Sequence, residues 1–122
     1  MVTVYAGAGV CADAKSTLER RGDEAEGVRV RIECLSPTKE GGGGLDLAAV
    51  GADARRAVED STSVAVLVER GRANDFARPI LDEAELALIA TSSGAKAMTE
   101  VLKALDSRDS DEAPRASVWE AR

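Results

Sequence analysis

Gly7-Ala8-Gly9-Val10-Cys11-Ala12 reads G-x-G-x-x-A, between an apolar run and a helical one. Glycines at this spacing admit a pyrophosphate to a helix N-terminus, and an acid at the end of the next strand takes the ribose hydroxyls. Glu33 stands near that acid's position. Two features oppose a dinucleotide. Asp13 would bring a negative charge to the pyrophosphate, and Cys34-Leu35 after Glu33 keep it inside its strand. A tight strand-to-helix turn accounts for the same glycines. Thr91-Ser92-Ser93-Gly94 ends one apolar run and opens another helix. Hydroxyls and free N–H groups there make either a carboxylate site or ordinary helix caps. The four glycines at 41–44 are not a phosphate-binding P-loop, because no Lys-Ser/Thr pair follows them. They read as a flexible loop.

The chain has no histidine, so the commonest general base and metal ligand is missing. A Ser-His-Asp triad cannot be built, and no G-x-S-x-G elbow is present. A phosphorelay receiver would need an acidic pair after the first strand and an Asp ending the third, where Ala6-Gly7 and Val68-Glu69 stand. The acidic clusters at 23–26 and 109–112 read as solvated loops. The expectation is a non-catalytic protein without cofactor or metal. Cys11 and Cys34 are too few for a disulfide framework or a thiolate zinc site. They form one bridge or stay reduced as small buried residues.

These residues need elements to hold them. An apolar β-type run at 2–6 leads to a helix, for which Asp13 is a plausible cap and Gly22 a stop. Val28, Val30, Ile32 and Cys34 alternate with Arg29, Arg31 and Glu33, a strand with one polar face near a sheet edge. Leu47, Val50, Ala54, Ala57 and Val58 follow helical spacing behind an Asp46 cap, with Leu45 and Val50 as a hydrophobic staple. The runs 64–68 and 86–90 are continuously apolar, as in strands covered on both faces. Between them Phe76, Ile80 and Ala84 space a helix that Pro79 kinks or begins. Ser93 caps a last helix bearing Met98, Val101, Leu102 and Leu105 on one face. A polar linker at 106–115 leads to a weak edge strand at 116–119.

Strands and helices that alternate at these lengths imply right-handed crossovers and a parallel sheet. The expected fold is one α/β domain over 1–122, three-layer α/β/α, with sheet order 2-1-3-4-5. If the first two strands are neighbours, Cys11 and Cys34 come to one sheet edge, within the ~4.4–6.8 Å Cα separation of a bridge.

Composition narrows the partners. Acids outnumber bases, 22 to 16, for a net charge of −6, where a nucleic-acid footprint would be basic. Aromatic residues are 2 % of the chain, too few for a base-stacking surface. No apolar stretch approaches the ~20 residues needed to span a bilayer. The N-terminus lacks the basic and long apolar regions of a signal peptide, which leaves the compartment open.

The stretch 28–99 resembles the first lobe of type 1 periplasmic binding proteins, in the branched-chain amino acid (leucine/isoleucine/valine) ABC-transporter substrate-binding family. Gly43-Gly44-Leu45-Asp46-Leu47-Ala48-Ala49-Val50, with Ala54-Arg55-Arg56-Ala57, is similar to that family's glycine turn and second helix. Ser63-Val64-Ala65-Val66-Leu67-Val68 resembles its third strand, and Pro79-Ile80-Leu81-Asp82-Glu83-Ala84 its "P-I-L-N-E-A-G-I" helix. The resemblance implies a small-ligand binding or sensory module for an amino-acid-like carboxylate. In the family, hydroxyls after strands three and four hold the ligand's α-carboxylate. By position these fall at Gly71 and Gly94, with Ser92 and Ser93 as substitutes for the second and Arg70 and Arg72 as direct carboxylate partners. The family has two lobes and this chain one, so an isolated copy is expected to bind weakly. The alternatives are an interaction module that has lost its ligand, pairing as a homodimer through the strands' C-terminal face, and a dinucleotide-binding fragment using Gly7, Gly9 and Glu33.

Overall fold

The structure, a computed structural model, describes residues 1–25, 27–35, 47–71, 73–109 and 111–121. Strand β1 (Val2–Ala6) leads into helix α1 (Ala8–Arg20), then β2 (Glu24–Ala25) and β3 (Val28–Cys34). Helix α2 (Leu47–Glu59), β4 (Ser63–Glu69), α3 (Ala73–Glu83), β5 (Ala87–Thr91), α4 (Gly94–Asp106) and α5 (Pro114–Ala121) follow. The five strands form one sheet in the order β2-β3-β1-β4-β5. β1 lies parallel to both β3 and β4, β5 is parallel to β4, and β2 is antiparallel to β3.

The expected order 2-1-3-4-5 is therefore corrected at both ends. The two-residue β2 pairs Glu24 with Arg29 and Ala25 with Val28, and adds an antiparallel edge that no periodicity announces. The strand expected at 116–119 is instead part of α5. Pro114 opens that helix, where its missing N–H is not needed. The Arg115 guanidinium then donates to the carbonyls of Asp60 and Ser63 and to Ser63 Oγ, at 2.7, 2.8 and 2.9 Å. Ser117 donates its hydroxyl to the Ala104 carbonyl, and Val118 is buried, so α5 is fastened to both β4 and α4.

Helix α1 begins five residues before the expected Asp13 cap. Gly7 is its N-cap, and Asp13 sits inside the helix with Thr17 donating to its carbonyl. Ser93 caps α4 as expected, accepting from the Lys96 N–H at 3.2 Å. The Asp46 cap, the Leu45–Val50 staple and the 41–44 glycines lie outside the described residues. Pro79 is internal to α3 and exposed, so its ring faces solvent.

Alternate strand residues serve two separate cores, as the pleat requires. Val2, Val4, Ala6, Ala65, Leu67 and Ala87 join Val10, Ala14 and Leu18 of α1 and Met98, Val101, Leu102 and Leu105 of α4. Tyr5, Val66 and Leu88 join Val50, Ala54 and Ala57 of α2 and Ala77 and Leu81 of α3. The second cluster has fewer large side chains and borders a crevice.

At the strands' amino end, Asp60 ties β1 to β4. It accepts from Tyr5 Oη at 2.7 Å and from the Thr62 N–H and hydroxyl at 2.9 and 2.6 Å. The Thr62 hydroxyl above all, then Tyr5, holds the Asp60 carboxyl below the usual range. Burial, then the same hydrogen bond, pushes the Tyr5 phenol up.

Candidate functional site

β1 feeds α1 on one face of the sheet, and β3 feeds α2 on the other. The chain leaves β1 toward β3 and leaves β4 toward β5, so its connections part between β1 and β4, and a crevice opens beyond the carboxyl ends of those strands, where open α/β sheets place ligands. The crevice has a volume of about 290 Å³. That is at the small end of the roughly 300–1,000 Å³ of ligand sites.

Its floor is apolar: Val50, Val66, Leu81 and Leu88, all buried, with Leu35 at the β3 side. The rim is polar and comes from three elements. Gly7, Ala8 and Gly9 bring the first turn of α1, Asp53 projects from α2, and Glu69 and Asn74 bracket the turn after β4. Asn74 is 8 % exposed and donates Nδ2 to the Glu69 carbonyl at 3.1 Å, which fixes that turn. Burial raises the Asp53 pKa, and Arg56 one turn on offsets this only in part.

Gly9 and Glu69 are matched. A Cβ at position 9 would land on the Glu69 carboxylate, so glycine is what lets this acid lie against the first turn of α1. The position suits a carboxylate, since helix N-termini carry partial positive charge. It also sets a like charge where a dinucleotide's pyrophosphate would approach. Gly7, with φ of −60° and no contact nearer than 3.7 Å to an added Cβ, needs no glycine for its turn. Glu33 does not line the crevice. It lies opposite Tyr5 in the sheet, one residue short of the strand end, with Arg56 at 3.4 Å and Arg31 at 3.9 Å.

The residues drawn from the family resemblance are placed elsewhere. Arg70 and Gly71 are exposed in the bend after β4, and Arg72 lies outside the described residues. Ser92 is exposed. Thr91 Oγ1 donates to the Ser93 carbonyl and accepts from the Ser93 N–H, both at 3.0 Å. With Ser93 Oγ committed to Lys96, these groups are engaged in capping. Gly94 is buried, and a Cβ there would collide with the Val10 carbonyl oxygen, so its smallness serves the close approach of α4 to α1. None of the five described ones lines the crevice, whereas Gly7 and Gly9 do.

Sequence reasoning missed Asp53, Glu69 and Asn74. Asp53 had a signal: it lies three residues after Val50 and four before Ala57, an acid within a buried stripe.

Cys11 and Cys34 form a disulfide, with Cα atoms 5.7 Å apart. Cys11 is buried in α1 and Cys34 is exposed at the end of β3. The bond joins the segments that carry Gly9 and Leu35 into the crevice wall.

Among the described residues, no helix is long and apolar enough to cross a membrane. No family model, no curated protein and no solved structure matches the chain.

Proposed function

We propose that this chain is a non-catalytic module that binds or senses a small amino-acid-like ligand, built as a single lobe with helices layered on both faces of its sheet. The carrying observation is the crevice at the topological switch point, which joins an apolar floor to a polar rim. The resemblance of 28–99 to a solute-binding lobe supports the same class. The site this reading favours is the crevice, because the groups at 91–94 are engaged in caps and packing.

A volume of about 290 Å³ accommodates a ligand of a few heavy atoms. One lobe contacts one side of it, so the affinity is low. About eight heavy atoms at ~0.6 kcal/mol each give roughly 5 kcal/mol, a Kd on the order of 0.2 mM.

The test is a two-dimensional NMR titration of the full chain with aliphatic, polar and acidic amino acids. Saturable shifts at Gly7, Gly9 and Asn74 with an aliphatic member are expected. Shifts confined to Arg70, Gly71 and Ser92 would move the site to the outer loops. No saturable shift, together with a dimer mass by light scattering, would favour the interaction module instead.

A further inference from the structure

We propose that the crevice selects its ligand by a cationic end, taking a primary ammonium group on a short aliphatic chain and needing no carboxylate. This rests on the crevice being the ligand site and goes further by naming what is recognised there. Among the described residues, the ionisable side chains lining it are Asp53 and Glu69, both acids. Among the described residues, the two arginines of α2 lie outside it. Arg56 stacks over the Tyr5 ring at 5.6 Å and reaches Glu33, while Arg55 lies by Gly51 and Phe76 on the outer side of α2 and α3.

A ligand entering this space meets two carboxylates above an apolar floor. An ammonium group there forms charge-assisted hydrogen bonds, which are about twice as strong as neutral ones. A bare carboxylate in the same place faces two like charges, and Glu69 already lies against the first turn of α1, whose N–H groups would otherwise receive it. The floor of Val50, Val66, Leu81 and Leu88 suits a branched or linear alkyl chain. A divalent metal ion fits poorly. Calcium takes six to eight oxygens, and no group of three or more acids, cysteines or histidines is placed to hold a metal among the described residues. Burial raises the Asp53 pKa, as befits a carboxylate whose counter-ion arrives with the ligand.

Three probes of matched shape separate the possibilities: 3-methylbutylamine, leucine and 4-methylpentanoate, each titrated at pH 7 into the full chain and read by amide shifts and calorimetry. The amine and leucine are expected to move Gly7, Gly9 and Asn74 saturably, and 4-methylpentanoate is not. D53N is expected to weaken the amine about ten-fold or more, and E69Q less, because Glu69 is exposed. If 4-methylpentanoate binds as tightly as the amine, or if neither variant changes amine affinity, the cationic selectivity is refuted while the site stands. If none of the three moves the crevice residues, the site and its selectivity fall together.

Discussion

Breaking the Cys11–Cys34 bond should destabilise the protein without changing its folded structure. The bond closes a segment with a sequence separation of 23. In the chain-entropy account, a loop of that length removes about 11 cal/mol/K from the unfolded ensemble, or ~3.4 kcal/mol at 25 °C. A chain of 122 residues has an unfolding entropy of roughly 260 cal/mol/K, so the melting temperature should fall by about 13 °C. The folded state keeps β3 in place by other means. β1 and β3 are paired from Val2↔Val30 to Ala6↔Cys34, and the Leu35 N–H donates to the Ala6 carbonyl at 2.7 Å. Reduction by a dithiol is the cleaner perturbation, because it leaves both sulfurs in the molecule, and C11A/C34A is the companion. The assay is thermal and urea unfolding, oxidised against reduced, with an amide spectrum of each folded form. Amide shifts should be confined to residues near positions 11 and 34. A melting temperature unchanged within about 2 °C, or two free thiols counted in the oxidised, unfolded chain, refutes the reasoning.

Two glycines that a Cβ would crowd should respond in opposite ways. G94A drives a Cβ into the backbone oxygen of Val10 and should cost ~1–3 kcal/mol in urea unfolding. G9A meets only the flexible, exposed Glu69 side chain and should be neutral or gain up to ~1 kcal/mol in helix preference; equal losses would refute the distinction. Asp60 has a lowered folded pKa, so its stabilisation is present above the unfolded value of ~3.9 and is lost as pH falls through the folded one. D60N should therefore lower stability at pH 7 and flatten the acid limb of a melting-temperature profile; a profile parallel to the parent's would contradict this. Asp53 has a raised folded pKa, so stability is greatest below its unfolded value and declines as pH rises through the folded value. D53N should melt above the parent at pH 7 and converge with it in acid, and a lower melting temperature at pH 7 would mean that the carboxylate has a structural partner.

Much of the fold was legible because burial leaves a period. Val50, Ala54 and Ala57, and Met98, Val101, Leu102 and Leu105, show one helical face each, and all are buried. The apolar runs at 64–68 and 86–90 lie on β4 inside the sheet and on β5 at its edge, and each strand gives residues to both hydrophobic clusters, so neither run shows a polar face. What escaped was set by contacts without a period. β2 is two residues long and is fixed only by its pairing with Val28 and Arg29. α5 has a weak stripe, and its place is set by Arg115 reaching residues 52 and 55 positions away. Asp13 resembled a cap because it precedes an apolar run, yet Gly7 can cap α1 through backbone geometry alone, with no side-chain hydrogen bond.

The candidate site was harder to see, since caps and ligands compete for the same groups. The hydroxyls and N–H groups at 91–93 have the chemistry of a carboxylate site, and the sequence cannot say whether they are already engaged. In the folded chain they are: the Thr91 hydroxyl bonds to the Ser93 N–H and carbonyl, the Ser93 hydroxyl accepts from the Lys96 N–H, and Gly94 is packed against Val10. A binding site needs polar groups left over and volume left unfilled in the same place. Asp53 and Glu69 meet the first condition in part, for no hydrogen bond among the described residues holds either carboxylate. The crevice supplies the second, because the α2–α3 core ends in small side chains, Ala54 and Ala77, beside it. That coincidence depends on which strands β1 lies between, and so on the sheet order rather than on any local motif. The same reasoning explains why Gly9 matters more than Gly7. Gly9 leaves the space in which the Glu69 carboxylate lies over the first turn of α1, whereas Gly7 merely precedes a helix.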